Sequence, residues 1–283
     1  GQLLIAQMLV KPVDAASVYY RSRPFMLGSG LTAEEALASD MARVGSVTEG
    51  RDVGVTFNMP RRNRAVVFPV SGDVASQYTP AAGWAQAIRY RHEQLKESEA
   101  AGSIAVVFGG DGSVAGNGFW SALTMATTLK LPLLFVIEDN TYAISVKSTL
   151  QTPGGNIAAN LASFRDLKIW DGDGCDPAEA AELVHAAVSY VRSWEGPALL
   201  RLTVPRLSGH SSTDNQAYKP EEERAAELAR DPIPAMRRFL VPSRMSEAEW
   251  TALEEAAAAE VAGARDAAMA QPQPDPAKVT SRV

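Results

Sequence analysis

The chain has 283 residues, 46% hydrophobic and 21% charged, with a formal net charge of -6. That length fits one large α/β domain or two small ones, and the acidic balance argues against a nucleic-acid partner or an anionic membrane surface. A single cysteine, Cys175, excludes an internal disulfide and fits a reducing compartment, while no apolar run approaches the roughly 18–20 residues that span a bilayer. With neither a signal-peptide nor a transit-peptide pattern at the start, the expected location is cytoplasmic. The chain opens on Gly1 inside an apolar helical stretch, "QLLIAQMLV", so an earlier natural start is expected.

Next in chain order, "GLTAEEALASDMAR" reads as a helix capped by Thr32, with acidic residues in its first turn. "RAVVFPV" (64–70) is strand-like, and "TPAAGWAQAIRYRHEQLKESEA" reads as a long helix opening at Pro80. Then follow "IAVVF" (104–108), a small-residue helix over about 115–129, and "PLLFVI" (132–137). "LKIWD", the helix "DPAEAAELVHAAVSYVRSW" and "PALLRLTV" (197–204) complete an alternation of short apolar strands and helices. Such strands belong to a mostly parallel sheet with helices on both faces. After Pro205 the pattern gives way to the polar loop "RLSGHSSTDNQAYKPEEE", helices over about 221–240 and 246–270, and a Pro-rich tail. The expected division is an α/β domain over 1–205, a mobile loop over 206–220 and packed C-terminal helices over 221–283.

The strand ending at Phe108 runs into Gly109-Gly110-Asp111-Gly112-Ser113 and then a helix. A strand, a glycine-rich turn and a helix N-terminus make an anion site at the C-terminal edge of a sheet. Gly110-x-Gly112-x-x-Ala115 also satisfies a dinucleotide fingerprint, which keeps a nicotinamide-dependent oxidoreductase open as a rival. Asp111 counts against that rival, because a carboxylate repels a bare pyrophosphate. A divalent cation between the two removes the conflict: Mg²⁺ takes about six oxygen ligands and accepts carboxylates and phosphates together. The end of the next strand supplies Asn140 as a second donor.

Gly110-Asp111-Gly112, the 26 residues 113–138 and then Asp139-Asn140 resemble the thiamine diphosphate signature of Gly-Asp-Gly, a gap of about 24–27 residues and Asn-Asn. A second Gly-Asp-Gly, at 172–174, has Arg201-Leu202 at the corresponding spacing and reads as a plain turn. "YYR" (19–21), "SGDVASQ" (71–77), "EDNTYAIS" (138–145), "WDGDG" (170–174) and "RLSGHSSTDNQAY" (206–218) occur in the order found in 2-oxoacid dehydrogenases. From about residue 10 onward the chain is similar to the alpha subunit of the branched-chain 2-oxoacid dehydrogenase decarboxylating component, with the pyruvate and acetoin members as close alternatives.

This resemblance implies thiamine diphosphate and Mg²⁺ as cofactors. Asp111, Asn140 and the carbonyl of Tyr142 would bind the metal. Tyr20 and Arg21 would contact the diphosphate, joined by Gly110 and the N–H groups of Gly112 and Ser113. Gly72 and Val74 would hold the aminopyrimidine ring. His210 would stand beside the diphosphate and the reacting carbon, with Arg206 near it as a second catalytic candidate. The implied reaction is decarboxylation of a 2-oxoacid and transfer of the acyl group to a lipoyl domain. The implied partner is a beta subunit in a two-alpha, two-beta assembly. Two departures stand out: Asp139 replaces the first Asn of the signature, and Gly209 replaces a histidine that often precedes the catalytic one. Glu138 occupies a position where some relatives carry an arginine. His92 and His185 fall within helical patterns and read as structural, and Cys175 has no paired base. A transketolase-type enzyme and a non-catalytic α/β scaffold complete the alternatives.

Overall fold

The computed structural model describes residues 1–51, 59, 61–62, 64–278 and 280, so the last residues of the expected tail lie outside the described residues. In chain order the strands are β1 (Ala15–Ser17), β2 (Val66–Val67), β3 (Ala105–Gly110), β4 (Leu133–Asp139), β5 (Tyr142–Ala143), β6 (Val146–Lys147), β7 (Lys168–Asp173) and β8 (Ala198–Thr203). Six of them form one sheet of order β2-β1-β3-β4-β8-β7, parallel at every pairing. The remaining two, β5 and β6, form a small antiparallel hairpin.

The helices are α1 (Gln2–Met8), α2 (Arg23–Gly28), α3 (Ala33–Asp40), α4 (Tyr78–Glu93), α5 (Asn117–Leu129), α6 (Ile157–Asn160), α7 (Pro177–Arg192), α8 (Glu221–Ala229), α9 (Pro232–Leu240) and α10 (Glu247–Ala270). Alternate residues of each central strand enter opposite cores. Val106, Phe108, Leu134, Val136 and Leu200 pack with α1, α2 and α7 through Ile5, Phe25 and Val188. Ala105, Val107, Phe135, Ile137 and Leu199 pack with α4, α5 and α6 through Tyr78, Phe119 and Ile157. The expected parallel sheet covered on both faces is therefore what forms, and continuous apolar strand sequences are its direct cause.

Three elements differ from expectation. The short strand β1 has only Ala15, Ala16 and Ser17, too little apolar periodicity to announce itself; its burial comes from position between β2 and β3. The 64–70 strand contracts to Val66–Val67, because Pro69 has no N–H to continue the ladder. The single helix expected over 221–240 is two: Asp231 caps Ile233 N and Pro232 takes the first position of α9, starting a new helix. Thr32 caps α3 through a reciprocal pair with Glu35.

Strand order fixes where a ligand can enter. From β1 the chain goes outward to β2 and then returns to the other side of β1 as β3. Connections therefore diverge at the C-terminal ends of β1 and β3, and an open parallel sheet carries its crevice at such a reversal.

Candidate functional site

Gly110 closes β3, and a 3₁₀ turn over Asp111–Ala115 leads into α5. Asp111 is only 4% exposed. Its Oδ1 accepts a hydrogen bond from Asn140 N at 3.3 Å, tying the ends of β3 and β4 together. Its Oδ2 has no hydrogen-bond partner among the described residues. Burial, then the negative charge of Asp139, pushes the Asp111 pKa up to about 6. A buried carboxylate oxygen without a donor calls for a cation.

Asn140 is held in place by its own turn. Its Oδ1 accepts from Tyr142 N at 3.0 Å, folding the segment after β4 back on itself. Thr141 between them adopts a left-handed φ of 64°, strained for a β-branched residue. Asp139 Oδ1 supports that turn by accepting from Thr141 N at 2.9 Å. Among the described residues no three His, Cys, Asp or Glu side chains cluster as metal ligands. A metal here would draw on one carboxylate, one amide and backbone carbonyls: hard oxygen donors suited to Mg²⁺ rather than to a soft metal. The residues fit the group that the sequence implied.

Glycine is needed at two points of the turn for space. A Cβ on Gly109 would lie 1.9 Å from the Tyr78 hydroxyl, and one on Gly112 would lie 2.3 Å from the Ala143 Cβ. Tyr78 bonds Ser113 Oγ at 2.6 Å, and that hydroxyl donates to Gly110 O at 2.6 Å. The turn is thus clamped from below.

Asp111, Gly110, Gly112, Ser113, Asn140 and Tyr142 line a cleft of about 670 Å³. Tyr20, Arg21, Gly72, Val74 and His210 line the same cleft from the β1 end and from two loops. Arg21 lies over the Tyr20 ring at 4.8 Å and donates from Nη2 to His210 Nδ1 at 2.8 Å. A guanidinium can only donate, so this bond requires a neutral imidazole with its proton on Nε2. Burial, followed by the charges of Arg21 and Arg206, lowers the His210 pKa in keeping with that form. Asp214 fixes the loop by accepting from His210 N at 2.6 Å, Gln216 N at 2.8 Å, Arg206 Nη2 at 3.0 Å and Tyr218 Oη at 3.1 Å.

Arg206 is not brought to the cleft. It is 6% exposed, paired with Asp214, bonded to the Ile144 carbonyl and flanked by the Tyr142 and Tyr218 rings. Its place is that of a strut between the loop and the β5–β6 hairpin. Conversely, Tyr19, Ser71, Asp73, Gln77 and Gln151 line the cleft without having been singled out. Tyr19 donates to Glu138 Oε2 at 2.9 Å, beside two bonds from Gln2, and burial raises the Glu138 pKa. Tyr19 is the first residue of the "YYR" motif, the one signal that could have found it. His92 sits in α4 with its ring against Trp194, and His185 lies in α7. The Cys175 thiol is pushed up to about 11 by burial, which suppresses its nucleophilic thiolate.

A family profile described as "Dehydrogenase E1 component" matches residues 2–277. The chain is 28% identical to the chloroplastic pyruvate dehydrogenase E1 component subunit alpha-3 of Arabidopsis thaliana over 276 residues, which cover 97% of this chain and 63% of that one. It is also 28% identical to the chloroplastic subunit alpha-3 of Oryza sativa subsp. japonica, covering 87% of this chain and 57% of that one. Against the pyruvate dehydrogenase E1 component subunit alpha of Rhizobium meliloti (strain 1021) the identity is 25%, covering 95% and 74%. The chain thus spans less than two thirds of the length of the two plant relatives. With a profile match over nearly its whole length and a parallel sheet that gathers the motifs at one crevice, the chain belongs to the dehydrogenase E1 component family.

Proposed function

We propose that this chain is the alpha subunit of a thiamine diphosphate-dependent 2-oxoacid dehydrogenase, holding Mg²⁺ and the diphosphate half of the cofactor. The observation that carries this reading is the Oδ2 of buried Asp111, without a partner among the described residues, beside Asn140 in the cleft. Pyruvate is the favoured substrate. The relatives above are named for pyruvate and none of them for a branched-chain oxoacid, so the branched-chain expectation yields to its alternative. A nicotinamide reading has the Asp111 carboxylate against it.

In this reading Asp111, Asn140 and the Tyr142 carbonyl hold the metal, and Arg21 with the Gly112 and Ser113 amides receives the phosphates. Gly72 and Val74 form the wall for the pyrimidine end. When bound, the cofactor supplies a cationic ring that accepts the electron pair left as CO₂ departs. His210, neutral and oriented by Arg21, keeps an Nε2 proton available as a donor at the cleft. Val74, Ile144, Val146 and Leu150 are 69%, 61%, 44% and 80% exposed at or beside the cleft. Such apolar exposure around a cleft supports a beta subunit covering it, as a separate chain or a fused portion, with a lipoyl domain as acyl acceptor.

Thermal-shift titration provides the test. Thiamine diphosphate should stabilise the chain only when Mg²⁺ is present, Asp111→Ala should abolish the effect, and NADH should give none. Stabilisation that ignores both Mg²⁺ and Asp111→Ala would overturn the proposal.

A further inference from the structure

Arg201 is the lone charge in the apolar strand β8, "ALLRLT", and strand alternation places it on the face of Leu199. Its side chain is 11% exposed, and it does not line the cleft. It bonds Asp139 Oδ2 from Nε at 2.7 Å and Asp171 Oδ1 from Nη1 at 2.7 Å. Asp139, with a side chain 1% exposed, uses its other oxygen to hold Thr141 N. Thr141 O in turn accepts from Ser148 N at 2.8 Å. One chain of contacts therefore runs from Arg201 through Asp139 to the left-handed turn that carries Asn140 and Tyr142.

We infer that Arg201 is a positioning residue of the cation site, compensating for the acidic residue at 139 and fixing the turn that presents Asn140 and the Tyr142 carbonyl. The inference rests on the proposed metal site. An asparagine at 139, as in the signature that the sequence resembles, could hold Thr141 N through its amide oxygen without adding charge. An aspartate does the same while placing a second buried carboxylate beside Asp111, and a buried charge needs a bonded counter-ion. The planar Arg201 fork satisfies it, and its second arm is locked by Asp171 on the neighbouring strand, in register with Arg201. Outer-shell partners of this kind orient the ligands that touch the metal.

The test compares the full chain as wild type, Arg201→Met, Asp139→Asn and the double variant. Mg²⁺-dependent thiamine diphosphate affinity is measured by calorimetry and the thermal midpoint is recorded alongside. Arg201→Met should weaken that affinity by about 10–100-fold. In the Asp139→Asn background the same change should matter by less than about threefold, because the charge to be compensated is gone. A structural role alone would make the affinity losses follow the thermal midpoint. Additive losses, or unchanged affinity in Arg201→Met, would overturn the inference. If Arg201→Met does not fold, the comparison of Asp139→Asn with the double variant still decides it. Wild-type binding that is lost in Asp111→Ala but kept in Arg201→Met sinks this inference alone; wild type that binds no cofactor sinks the metal reading and this inference with it.

Discussion

At Asp111 the folded chain stabilises the protonated acid, and the sign of the consequence can be worked out. Its pKa is about 6 in the fold against 3.8 when unperturbed, with burial as the main cause. Between those values the folded state holds more protons than the unfolded one, so the metal-free chain loses stability as pH rises from about 4 to 6. The full contribution is about 3 kcal/mol. Asp111→Asn should remove this slope, so the metal-free variant gains on wild type between pH 4.5 and 7 in urea unfolding; parallel pH profiles would contradict it. Mg²⁺ affinity should fall in the opposite sense, weakening as pH drops below about 6, because the proton competes for the same oxygen. Asp111 was legible in the sequence because a charge between two glycines at a strand end has no turn-forming purpose. Arg201 was not, since its partners Asp139 and Asp171 are brought to it only by strands that pair across long sequence separations. Its sole local sign was a charge inside an apolar strand.

At the scale of elements, the loop between β8 and α8 shows how a departure from a familiar pattern can be enforced by packing. A Cβ on Gly209 would lie 1.9 Å from the Asp214 carbonyl oxygen. The loop closes on itself through Asp214, so any side chain at 209 collides with the residue that organises it. Gly209→Ala should therefore speed protease cutting near Ser212 severalfold in the full chain without changing its thermal midpoint; an unchanged cutting rate would show that the loop absorbs the methyl. A loop of Ser, Asp, Asn and Gly reads as mobile by composition, but the hydrogen bonds that Asp214 gathers are invisible to composition. Sheet strands with Val, Ile, Leu and Phe runs were readable because period and burial agree. Two-residue elements such as β2, and β1 with its Ala-Ala-Ser, were not, because neighbours rather than local sequence define them.

For the molecule as a whole, the cleft borders exposed apolar side chains that water disfavours, and the proposed beta subunit would cover them. Co-expression with a beta chain should raise pyruvate decarboxylation from near background by orders of magnitude; full turnover by the isolated chain would defeat the shared-site proposal. The parallel sheet and the Gly-Asp-Gly signature of the family were legible because both rest on residue types at set intervals. A loop arginine near a histidine can serve either a ligand or its own loop, and only three dimensions show that Asp214 and Ile144 bond Arg206 here.

The gap between Asp111 and Asn140 also has a geometrical meaning. It contains one helix leading away from the cleft, a left-handed reversal at Lys130 with φ of 49°, and one strand leading back. Asp111 and Asn140 come together, Asn140 N on Asp111 Oδ1, because β3 and β4 are adjacent rungs, about 4.8 Å apart, not because of the number of residues between them. A length change confined to the far bend at Lys130 leaves both ends of the loop where they were. Spacing in such a signature is therefore the contour length of a round trip across the sheet, and the bend is the place where a graft or reporter can be accommodated without the cleft registering it.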